Sequence, residues 1–116
     1  MGWDIELVDS EGKIVEVPRH WEGSTIAISG TEYADLNLTY NYSKWYYEFL
    51  DSKEGLRWLN NKKAKDTIKT MEKAIEKLGT ERDNDYWAPT PGNAGYALSI
   101  LIQWAKQHPE ATWKLA

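Results

Sequence analysis

The chain contains no cysteine, one phenylalanine and two histidines in 116 residues. Each scarcity excludes something. Without thiols there are no disulfides, no thiolate metal sites and no cysteine nucleophile, and the composition fits a reducing compartment. His20 and His108 lie far apart in the chain, and neither is flanked by a metal-ligand pattern, so histidine-based catalysis lacks visible partners. Long apolar runs are also missing: nothing approaches the roughly 20 residues of a membrane span. The opening MGWDIELVDSEGK is charged almost from its start and has no apolar signal segment. These features predict a soluble, unexported protein without a membrane partner. Its length fits a single domain, residues 1–116, that can bury a core without staples.

Aromatic residues, by contrast, are abundant. Seven Trp and seven Tyr exceed what a core of this size requires, so some are expected at the surface. Trp21, Tyr42, Trp45 and Trp87 neighbour loops and are expected near a site, whereas Trp104 is expected in the core. Charge is uneven too: residues 1–54 carry 11 acids and 4 bases, and residues 55–116 carry 7 acids and 10 bases. Lys65, Lys69, Lys73 and Lys77 recur every four residues and form one row along a helix. Acids three residues away favour a solvated helix face over a phosphate-binding row.

WDIELVD alternates with period two and predicts a strand. Ser10-Glu11-Gly12 connects it to KIVEV, so residues 3–17 read as a hairpin ended by Pro18. Thr25 to Ser29 and Ala34 to Tyr40 add further strands. A capping residue at Asn41 or Ser43 begins a helix whose Trp45, Tyr46, Phe49 and Leu50 form one buried stripe. LRWLNN is a second, short helix. A third carries Ile68, Met71, Ile75 and Leu78 and stops at Gly79. Strands first and helices afterwards predict an α+β fold, with an N-terminal antiparallel sheet of three to four strands packed against three to four C-terminal helices. His108-Pro109 ends the last helix and leaves Trp113 in a short tail.

The richest stretch runs from Gly79 to Ala105. Residues 79–95 hold four charges, three Gly and two Pro beside Tyr86-Trp87, and an apolar segment follows. Thr90 reads as an N-cap and Pro91 as the first helical residue. A helix start offers free amides and a positive dipole end to an anion, and Gly92 lacks a side chain that would block approach. TPGNAG is therefore a candidate phosphate seat through Gly92 and Asn93, although it is neither a P-loop nor a dinucleotide fingerprint. A well-capped helix with Gly95 in close packing explains the same letters. Beside it, Tyr86 and Trp87 can stack a base, Arg82 can pair with a phosphate and Asp83 or Asp85 can accept from ribose or a base edge. The loop Arg19-His20-Trp21 is a second candidate ligand-facing segment. Asp83-Asn84-Asp85 begins like a calcium loop but lacks its Gly and final Glu, so neither a metal nor a cofactor is expected. No catalytic set can be assembled, and non-enzymatic binding is the expectation.

The runs TYNYSKWYYE, GTERDNDYWAPTPGNAGYAL and QWAKQHPEATW resemble a family of small bacteriophage and prophage proteins to which no activity is assigned. The likeness extends from the first strand to Trp113. It implies a small accessory protein working in the host bacterial cytoplasm. Unrelated small phage proteins of that kind block bacterial defence, by occupying a host protein or by sequestering a nucleotide-derived immune signal. Two expectations follow. One is capture of a phosphate-bearing, nucleotide-type small molecule through Arg82, Asp85, Tyr86, Trp87, Thr90, Gly92, Asn93, Arg19, His20 and Trp21. The other is a protein-interaction module that inhibits a host defence protein through acidic and aromatic surfaces. Sequence-specific nucleic-acid binding is not expected, and homo-oligomerisation stays open.

Overall fold

The computed structural model describes residues 2–23 and 29–116. In chain order it contains β1 (Gly2–Val8), β2 (Glu16–His20), β3 (Thr31–Tyr33), β4 (Asp35–Thr39), α1 (Ser43–Phe49), α2 (Ile68–Leu78), α3 (Pro91–Gln107) and β5 (Thr112–Leu115), with short 3-10 turns around α1 and before α2. This is the expected α+β architecture. Most of the expected Thr25–Ser29 strand lies outside the described residues.

β1 is the centre of a three-stranded antiparallel sheet ordered β4-β1-β5. Its alternation puts Trp3, Ile5 and Leu7 on the buried face, where Ile5 is flanked by Leu36 of β4 and Leu115 of β5. The segment after the last helix, expected as a short tail, is instead a sheet strand. Trp113 is fully buried opposite Leu7, and its indole N–H donates to the Thr67 hydroxyl at 3.0 Å. The far edge of β5 is covered by residues 60–64, through Asn61 N–H to Trp113 O and Trp113 N–H to Lys62 O, so the sheet does not end in an open ladder.

The expected hairpin over residues 3–17 is only a stub. Asp9 turns the chain by accepting from the amides of Glu11 and Lys13, and the two arms pair through a single bridge, Val8 to Ile14, with backbone bonds from Val15 N–H to Leu7 O and from Asp9 N–H to Lys13 O. The neighbour positions of β1 are already taken by β4 and β5, so β2 begins later and pairs with β3 in a separate ribbon. Pro18 therefore lies within β2 rather than after the strand. A two-stranded ribbon with an irregular register tolerates a residue without an N–H.

The helices cover the buried face of the sheet. α1 has no side-chain cap; the chain enters it through the 3-10 turn 40–42, which Thr39 caps by accepting from the Asn41 amide, so neither Asn41 nor Ser43 caps the helix. Tyr46 and Leu50 are buried, while Trp45 and Phe49 are half-buried and stack on each other. LRWLNN forms a 3-10 turn over Gly55–Leu59 that buries Leu56 and Leu59. α2 buries Met71, Ala74 and Leu78 and ends at Gly79, whose φ of 74° suits glycine. Its Lys69, Lys73 and Lys77 are exposed, whereas Lys65 pairs with Glu110 at 2.8 Å. α3 buries Leu98, Leu101 and Trp104 against the rest of the core. Gly95 lets the two helices meet: a Cβ there would stand 1.8 Å from the Gly79 carbonyl oxygen.

Candidate functional site: a cleft beside the start of α3

The start of α3 has the predicted chemistry. Thr90 is extended, its hydroxyl accepts from the Asn93 amide at 3.1 Å, and Pro91 opens the helix. What the helix start binds, however, is the chain itself. Asn93 is buried and its side chain takes three partners: it accepts from Asp83 N–H at 2.9 Å and donates to Asp85 O and Ala88 O, each at 3.0 Å. Asp83 in turn accepts from the Asp85 amide, and Asp85 from the Trp87 amide, so the loop curls back over the helix. Gly92 is buried under it. A Cβ on Gly92 would lie 1.9 Å from the Glu81 carbonyl oxygen, so glycine is required by this backbone approach rather than by a ligand. The amides of Asn93 and Ala94 bond to Thr90. The expected phosphate seat over Gly92 and Asn93 is thus covered by residues 81–88.

The open space lies on the flank of that helix. A cleft of about 140 Å³ is bounded by Trp21–Gly23, by Leu36 and Leu38 of β4, by Tyr42, Tyr86 and residues 82–84, and by the α3 face carrying Asn93, Tyr96, Ala97 and Ile100. Tyr86 fixes one wall. Its hydroxyl accepts from Thr39 N–H at 3.2 Å and donates to Asn37 O at 3.3 Å, and so supplies β4 with the partner that its outer edge lacks. Tyr42 donates its hydroxyl to Tyr86 O, and burial first, then the neighbouring Tyr86, raises the Tyr42 pKa, which keeps the phenol a donor.

Tyr96 fixes the other wall. Its hydroxyl donates to the Glu22 carboxylate at 3.2 Å, and the Arg82 guanidinium lies 4.4 Å above its ring. Burial and the Glu22 charge raise the Tyr96 pKa, with Arg82 opposing. Glu22 is held by its backbone as well, because its amide donates to His20 Nδ1 at 3.2 Å.

Of the expected site residues, Trp21, Arg82, Tyr86 and Asn93 line this cleft although they come from separate parts of the chain. The others do not. Thr90 and Gly92 serve the helix start, and Asp85 serves the loop. Trp87 is exposed beside the cleft, with its ring edge-on to Tyr86 and its carbonyl accepting from Asn41. Arg19 pairs with Glu32 at 3.3 Å, and His20 Nε2 meets Tyr33 O at 2.9 Å. Both line a neighbouring depression that shares Glu22, Tyr96 and Ile100 with the first.

Sequence reasoning missed Tyr96, which was read simply as part of an apolar helix. A signal was present: Asn93, Tyr96, Ala97 and Ile100 follow the i, i+3, i+4, i+7 pattern of one helix face. The cleft can therefore enclose a planar group among aromatic and aliphatic walls, meet an anion at Arg82 and accept N–H donors at Glu22. Comparison with known protein families, with curated proteins and with solved structures returns no match.

Proposed function

We propose that the chain is a binding protein that captures a phosphate-bearing, nucleotide-type small molecule in this cleft and holds it without turning it over. The observation that carries the reading is the meeting of Trp21, Tyr86 and Arg82, three residues of the expected ligand set, around one cavity. The cavity is smaller than the ~300–1,000 Å³ of pockets that enclose drug-sized ligands. It suits a single planar base, with the phosphate left at the rim where Arg82 is exposed. Among the described residues Arg82 forms no ion pair, so its charge is available to a ligand. The resemblance of the DYWAPTPGNAGYAL region to phage accessory proteins gives the capture a purpose: sequestering a nucleotide-derived immune signal in the host cytoplasm.

A thermal-shift screen with cyclic and linear nucleotides tests the reading. A captured nucleotide should add about 2.7 kcal/mol of stability at a hundred times its dissociation constant. Arg82→Ala should weaken binding in a salt-dependent way, and Trp21→Ala should weaken it with little salt dependence. Trp87→Ala should leave it nearly unchanged. One observation favours a second reading: Trp21, Tyr33, Tyr40, Tyr47 and Trp87 are each more than two-fifths exposed, which suits a protein partner. No shift with any nucleotide, together with specific retention of a host protein in pull-downs, would favour inhibition of a host defence protein.

A further inference from the structure

We propose that the cleft selects a ring that carries two adjacent N–H donors, as the Watson–Crick edge of guanine does, and that Glu22 reads that edge. The inference rests on the cleft being a nucleotide site and names the base that it takes. Two carboxylates line the cleft, Glu22 and Asp83. Asp83 is committed to its own loop, because Oδ1 accepts from the Asp85 amide at 2.8 Å and its amide is held by Asn93 at 2.9 Å. Glu22 is placed differently. Its amide is tied to His20 and its Oε1 holds the Tyr96 hydroxyl, so the side chain is fixed from both ends. Among the described residues it forms no ion pair. Arg82 stands over the face of the same Tyr96 ring whose hydroxyl meets Glu22. The cleft thus presents a fixed carboxylate and, near it, an exposed cation.

An ionised carboxylate only accepts hydrogen bonds, through two oxygens. Guanine offers N1–H and the 2-amino group side by side, which is the complementary pattern. Adenine sets the N1 acceptor beside its amino group, and cytosine likewise offers an amino group beside an acceptor. Uracil offers one N–H between two carbonyls. Each of these turns an acceptor toward the carboxylate and leaves it unpaired. A hydrogen bond to a charged group is worth roughly 10- to 150-fold in affinity. One such bond separates guanine from hypoxanthine, which keeps N1–H and lacks the amino group. Arg82, at the rim, would meet the phosphate of the same nucleotide.

Calorimetry on the full chain with GMP, IMP and AMP tests the inference. GMP should bind tightest, IMP at least tenfold more weakly and AMP at least a hundredfold more weakly. In Glu22→Gln the amide oxygen can still hold the Tyr96 hydroxyl, so the melting temperature should change little. The variant's amide can accept or donate, and the GMP-to-AMP ratio should fall below about tenfold. Equal affinities for GMP and AMP in the wild type, or a Glu22→Gln variant with the wild-type ratio, would overturn base selection and leave capture standing. Absence of binding by all three at millimolar concentration, with no response to any nucleotide in the thermal screen, would overturn both.

Discussion

Replacing Asn93 with alanine removes three hydrogen bonds at once and leaves the N-cap of α3 in place. The cap uses the Asn93 backbone amide and the Thr90 hydroxyl, which the substitution does not touch. Lost are the bonds to Asp83 N–H, Asp85 O and Ala88 O. Each contributes about 1 kcal/mol net, and a partner left dry costs more. The loop is largely exposed, so water can reach part of what is orphaned. Alanine also favours the helix over asparagine by up to roughly 0.7 kcal/mol. The expected loss is therefore about 2–3 kcal/mol, read as a lower urea midpoint at unchanged slope. Hydrogen exchange adds a local readout: the Asp83 amide should lose protection while the α3 interior amides keep theirs. Because the loop carries Arg82 and Tyr86, affinity for any nucleotide that shifts the wild type should fall as well. A loss below about 1 kcal/mol, with the Asp83 amide still protected, would refute the claim that Asn93 holds the loop against the helix.

Gly95→Ala would be favourable by helix propensity, by up to about 1 kcal/mol, yet its Cβ meets the Gly79 carbonyl oxygen at 1.8 Å; thermal unfolding should show severe destabilisation or failure to fold, and a neutral variant would disprove the close crossing. Leu101→Ala, at a fully buried position, should cost roughly 2–5 kcal/mol in denaturant unfolding, and a loss below about 1 kcal/mol would place α3 at the surface. The Glu110 pKa is lowered, first by the Lys65 hydrogen bond and then by the charges of Lys63 and Lys65. A depressed carboxyl stabilises the fold above its ordinary value of 4.5 and loses that contribution as the pH falls through the folded-state value. The stability gap between wild type and Glu110→Gln should accordingly narrow from pH 7 to pH 3 in thermal melts, and more weakly at high salt; a constant gap would contradict it.

The features legible in the sequence were local ones. Thr90-Pro91 announces the start of α3 because a hydroxyl acceptor and a missing N–H answer the needs of a helix end within a few residues. Gly79 announces the end of α2 because its positive φ is a single-residue property. The alternation of Trp3, Ile5 and Leu7 identified a strand with one buried face. Which strands lie beside it was a tertiary matter. The KIVEV segment looked like the partner of β1 by proximity, but the C-terminal TWKL took one side of β1 and β4 the other. Pairing depends on which buried faces the whole core aligns, and four residues carry too little pattern to reveal it. Gly92 marks the same boundary within the site. A glycine is compatible with a ligand's approach and with the approach of another backbone, and only the position of Glu81 decided between them. The cleft itself was half legible: Trp21, Arg82, Tyr86 and Asn93 were singled out by residue type, but their meeting, and the Tyr96–Glu22 contact that joins their two segments, depends on α3 lying beside the end of β2, where His20 meets Trp104 and residues more than 70 positions apart come within 3.2 Å.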